Sequence, residues 1–127
     1  EPDIDVVNID GLRAGQQLGE LLLAQGYTRI GYMMGPETSS HHTQRLDGLQ
    51  RALQAAGLTL ELLLTTGVYT RERSYEVLSD YLNAHAPQQR IEALFCENDI
   101  LALGALAALS DQPGDDFMAV VGFDDID

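Results

Sequence analysis

Apolar runs of strand length alternate with segments of helical period along the whole chain, and this alternation restricts the fold more than any other feature. The runs are 4–9, 30–34, 60–65, 93–96 and 117–123, and each of the first four is followed by a helical segment. Strands alternating with helices predict a parallel sheet joined by right-handed crossovers. The expected class is α/β, a Rossmann-like parallel sheet flanked by helices. At 127 residues and 45% hydrophobic, the chain is one domain's worth and can bury a core without disulfides or metal.

The helical faces follow from spacing. Ala14, Leu18, Leu21 and Leu22 recur at helical intervals between Asp10, a cap candidate, and Gly26, a terminator. Leu46, Leu49, Leu53 and Ala56 form a second stripe between Ser40 and Gly57. A third helix is predicted from Thr70 to about Ala84, burying Val77, Leu78, Tyr81 and Leu82, and Pro87 forbids its continuation. The fourth, Asp99–Ser110, has almost no polar face. A helix apolar all round has to be covered on both sides, so a second subunit or domain is expected against it. Leu103 and Leu106 or Ala107 are the candidate contacts of a homodimer; the rival is that the helix packs wholly within its own domain.

Charge and motif narrow the chemistry. Seven Arg with no Lys, against twenty acids, give a formal charge of −13. Such a surface repels phosphate backbones, so these residues are not expected to grip nucleic acid themselves. Without lysine there is no Walker A loop, and no GxGxxG follows a strand. His41 and His42 are adjacent and lack the i, i+4 spacing that puts two imidazoles on one metal, so no metal site is expected. Cys96 sits inside an apolar run and reads as a small buried hydrophobe. No nucleophile stands beside a base, so neither catalysis nor a cofactor is expected.

The stretch "CENDI" raises the sharpest question. An apolar strand ends at Glu97, Asn98 and Asp99, where a helix cap needs only one such residue. In an open parallel sheet, ligands bind beyond the carboxyl ends of the strands. There the loops "GPETSSHHTQR", "TGVYTRE", "CENDI" and "GFDDID" offer an arginine, an amide, carboxylates and an aromatic ring, a set suited to a small polyhydroxylated or heterocyclic ligand. Each residue also has a plainer reading. Arg45 can be a solvated helix cation, although it lies near its helix N-terminus, where a cation is disfavoured, and Gly48 one turn on would admit a ligand or another backbone. Asn98 can be a cap, a ligand group or both. Asp124 and Asp125 can end a strand, and Tyr69 can be a rim aromatic.

The ordered set "DGLRAG", "GYTRIGYMMGP", "RLDGLQRAL", "ALFCENDILALGAL" and "AVVGFDDI" resembles the effector-binding core of the LacI/GalR family of bacterial transcription repressors, across nearly the whole chain. The resemblance implies one subdomain of a periplasmic-binding-protein-like type I fold, with residues 1–127 being part of the effector-binding domain, mostly its C-terminal subdomain. The helix-turn-helix is expected to lie outside these residues. By the same resemblance Arg45, Asn98 and Asp124 hydrogen-bond the effector, with His41 and Tyr69 as wall positions. Gly11 departs from the Asn common in the family, and Tyr27 from a commoner His. The implied function is sensing of a small sugar or nucleoside-like effector in the cytoplasm, by a dimer that controls operator binding, without contact to a membrane. A solute-binding protein feeding a transporter shares the fold and is the alternative.

Overall fold

The structure is a computed structural model that describes the backbone of residues 2–36, 40–114 and 117–123, and the side chains of 11–36, 44–114 and 117–123. In chain order the elements are α1 (Pro2–Ala24), β1 (Ile30–Met34), α2 (Ser40–Ala55), β2 (Leu62–Thr65), α3 (Arg71–Ala84), a short 3-10 turn (Pro87–Gln89), β3 (Ala93–Cys96), α4 (Asp99–Ser110) and β4 (Ala119–Gly122). They divide into two compact units, residues 1–28 with 37–60, and residues 29–36 with 61–127.

The second unit holds a four-stranded parallel sheet in the order β2-β1-β3-β4. Strand alternation puts Met33, Leu94 and Cys96 on one face, where they join Leu78, Tyr81 and Leu82 of α3 and Leu101, Ala105 and Ala108 of α4 in one buried cluster. Tyr32 and Phe95 point to the other face, ring centroids 5.3 Å apart. Small residues set the α3–α4 seam. A Cβ on Gly104 would lie 2.4 Å from the Arg71 carbonyl oxygen, and the Ser74 hydroxyl donates to the Leu101 carbonyl at 2.5 Å. Cys96 is buried within β3, and burial pushes its thiol up to about 12, so it stays protonated and unreactive near neutrality.

In the first unit α1 and α2 pack at backbone contact. A Cβ on Gly48 would fall 2.1 Å from the Leu12 carbonyl oxygen, and one on Gly15 would fall 2.2 Å from that of Arg45. Both helices end in the same way. Gly26 and Gly57 adopt φ of +99° and +79°, and the amides of Tyr27 and Leu58 reach back to the carbonyls of Leu22 and Leu53.

Most boundaries agree with the sequence pattern, and one element does not. Residues 4–9, expected as a first strand, begin α1, and Asp10 lies inside that helix instead of capping it. As a helix these residues satisfy their N–H and C=O groups internally, without a neighbouring strand. The sheet therefore has four strands among the described residues, not five. Two stripe positions also differ: Leu21 and Ala56 are exposed, and Gly19 and Ala52 are buried in their place.

Candidate ligand site

The sheet order places the switch in winding between β1 and β3, because the chain leaves β1 toward β2 on one side and leaves β3 toward β4 on the other, with all strands parallel. In open parallel sheets this is where a crevice opens beyond the strand ends. Glu97, the first residue past β3, occupies it with no exposed surface. A carboxylate buried without partners would be prohibitively unfavourable. Here Oε1 accepts the Gly35 amide at 2.8 Å and Oε2 accepts the Tyr69 hydroxyl at 2.5 Å. One side chain thus ties together the loops that follow β1, β2 and β3.

Neighbouring groups fix the same edge. The Thr66 amide donates to the Met34 carbonyl at 2.9 Å, and its hydroxyl donates to the Val68 carbonyl at 2.7 Å. Thr70 caps α3 by accepting the Arg73 amide at 3.1 Å, and the Arg73 Nε returns to the Thr66 carbonyl at 3.1 Å. Tyr69 lies against Gly35, where a Cβ would come within 2.3 Å of its ring. The absence of a side chain at Gly35 is what seats the ring.

Asn98 follows with only 6% of its surface exposed. Its Oδ1 accepts the Leu101 amide at 3.0 Å, which makes it the N-cap of α4, and among the described residues its Nδ2 has no acceptor. Gly122, at the end of β4, lets that strand approach the start of α4; a Cβ there would sit 3.3 Å from the Asn98 carbonyl oxygen.

Of the five residues expected to face a ligand, Asn98 and Tyr69 are brought to one end of the sheet, linked through Glu97. Arg45 lies half-buried in α2, in the first unit. The side chain of His41, and Asp124 altogether, lie outside the described residues. Gly48, one turn past Arg45, admits the backbone of α1. Glu97 is the residue that sequence reasoning left without a role, although an acid closing an apolar strand was a signal that donors had to be waiting for it. No group of three potential metal ligands occurs among the described residues.

On α4 the two sides separate. Leu101, Gly104, Ala105 and Ala108 are buried, whereas Leu103 and Leu106 are 47% and 49% exposed, with Ile100 and Ala107 beside them. Among the described residues no helix is long and apolar enough to cross a membrane.

Comparison with known proteins agrees with this geometry. Residues 1–127 match the family described as the periplasmic binding protein domain. The HTH-type transcriptional repressor CytR of Escherichia coli is 33% identical over 132 residues, a match covering 100% of this chain and 37% of that protein. A regulatory protein of the LacI family from Chloroflexus aggregans superposes with a TM-score of 0.80 at 34% identity, over 91% of this chain and 42% of the other. A LacI family transcriptional regulator from Enterococcus faecium, solved with bound ribose, gives 0.73 at 25% identity, over 92% and 43%. The chain thus spans well under half the length of these relatives, and it belongs to the periplasmic binding protein domain family, in the form carried by transcriptional regulators of the LacI type.

Proposed function

We propose that the chain is the ligand-sensing part of a LacI-type repressor, binding a small sugar or nucleoside-like effector and thereby controlling a helix-turn-helix outside residues 1–127. The observation that carries this reading is the convergence of Gly35, Thr66, Tyr69, Glu97 and Asn98 beyond the carboxyl ends of three adjacent parallel strands. Ribose in the Enterococcus faecium relative supports a polyhydroxylated effector. The formal charge of −13 supports a division of labour in which operator contacts are made elsewhere. The relatives being regulators weighs against the transporter alternative, and a repressor acts in the cytoplasm.

Arg45, Asn98 and Asp124 supply a fork of donors, an amide and an acceptor, with His41 and Tyr69 as walls. A buried polar group left without its partner costs about 1–3 kcal/mol. Thermal-shift screening of sugars and nucleosides on the full-length protein identifies the effector. Arg45→Ala and Asp124→Ala are then each expected to weaken it about tenfold or more in calorimetric titration, since about 1.4 kcal/mol corresponds to a factor of ten. Unchanged affinity in both variants removes the assignment.

The exposed stripe of Ile100, Leu103, Leu106 and Ala107 is the proposed face of a homodimer, which would space two DNA-reading units. Leu103→Glu puts a charge into that interface and is expected to give a folded monomer in sedimentation. A variant that stays dimeric places the interface elsewhere.

A further inference from the structure

We infer that Glu97 is a positioning residue of the ligand site, which holds the Tyr69 ring in one orientation and takes its hydroxyl proton, so that Tyr69 offers a ligand its aromatic surface and no donor. The inference rests on the ligand-site reading above and adds a residue to it. Glu97 is fully buried, so its function is exerted through what it touches. Its two carboxylate oxygens are divided between the Gly35 amide and the Tyr69 hydroxyl. Gly35 in turn forms the bed of the ring, with ring atoms 2.3, 2.6 and 2.8 Å from where its Cβ would stand. The ring is therefore fixed at two points, its hydroxyl end by Glu97 and its side by Gly35. A phenol whose proton is donated to a buried carboxylate cannot also donate it to a ligand hydroxyl. Tyr69 thus favours a ligand with a flat, weakly polar face, such as a nucleobase or the C–H face of a sugar ring, and leaves donation to ligand oxygens to other groups.

Two substitutions separate positioning from bulk stability. Glu97→Gln keeps the shape of the side chain but offers one oxygen where two acceptors are needed. Tyr69→Phe keeps the ring and deletes the bonded hydroxyl. The full-length protein, with its tyrosine rings isotopically labelled, is followed by NMR and titrated with D-ribose, adenosine, cytidine and uridine as probes. The expected result is that Glu97→Gln moves the Tyr69 ring signals while leaving those of Tyr75, which bonds to Asp111, in place. Each single variant weakens the tightest probe about fivefold or more, and the double variant is no weaker than the weaker single, because both break one device. Unmoved Tyr69 signals in Glu97→Gln overturn the inference, as do losses that multiply or affinity unchanged in both variants. If no probe binds even the unmodified protein, the effector is none of these four, and the ring signals decide the positioning on their own.

Discussion

Gly48→Ala is expected to cost about 3 kcal/mol of stability, the upper end of the usual range for an over-packed site. The reason is the nature of the atoms in the way. A methyl at this position would sit 2.1 Å from the Leu12 carbonyl oxygen and 2.7 Å from the Gln16 amide nitrogen, both backbone atoms of α1. A side chain in that place could turn aside, but backbone in the middle of a helix moves only if the helix moves. Relief therefore requires α1 and α2 to part, with loss of contact along their seam, including the close approaches at Gly15 and Gly19. Urea unfolding of the variant measures the loss. A decrease below about 1 kcal/mol would mean that the two helices do not meet at this contact.

Leu101→Ala is expected to be comparably damaging, at about 3–4 kcal/mol, because it deletes a fully buried side chain between α3, α4 and the sheet and leaves a cavity. Leu103→Ala, two residues along the same helix, is expected to change the stability of the folded subunit by less than about 1 kcal/mol, since nearly half of its surface is already in contact with solvent. The comparison is made by urea unfolding of both variants, with equal losses as the contrary result.

This pair of leucines marks where sequence stops being informative. β1, β3 and α4 are legible to the residue, because each apolar run is closed by a group that ends it: Gly35 and Pro36 after β1, Glu97 after β3, and the Asn98 cap before α4. The orientation of α4 is not legible, since a helix of Leu, Ile and Ala has no polar face to mark the outside; only the packing of Gly104 against Arg71 and Ser74 settles which side turns inward. Residues 4–9 carry β-branched residues in an apolar run, a strand signal, yet they continue into the helical pattern of 11–24 and form one helix with it, because β propensity is set by context more than by the residues themselves. At the ligand end, the strand termini and the Asn98 cap follow from pattern, whereas Arg45, His41 and Asp124 enter through family resemblance. The brace at Glu97 was signalled only by its oddity, because its partners are distant in sequence and come together through parallel pairing.

That distance has a temporal meaning. Gly35 precedes Glu97 by 62 residues and Tyr69 precedes it by 28. During synthesis both therefore leave the ribosome before the carboxylate that will bind them exists. Parallel pairing of remote strands must meet the entropy of closing long loops before it gains from contact, so such sheets assemble slowly. The hydroxyl end of the Tyr69 ring accordingly has no anchor until β3 has docked beside β1. An emerging chain truncated before Glu97 carries the amide and the phenol without the acceptor that joins them, so a nascent chain acquires this end of the sheet only once β3 is complete.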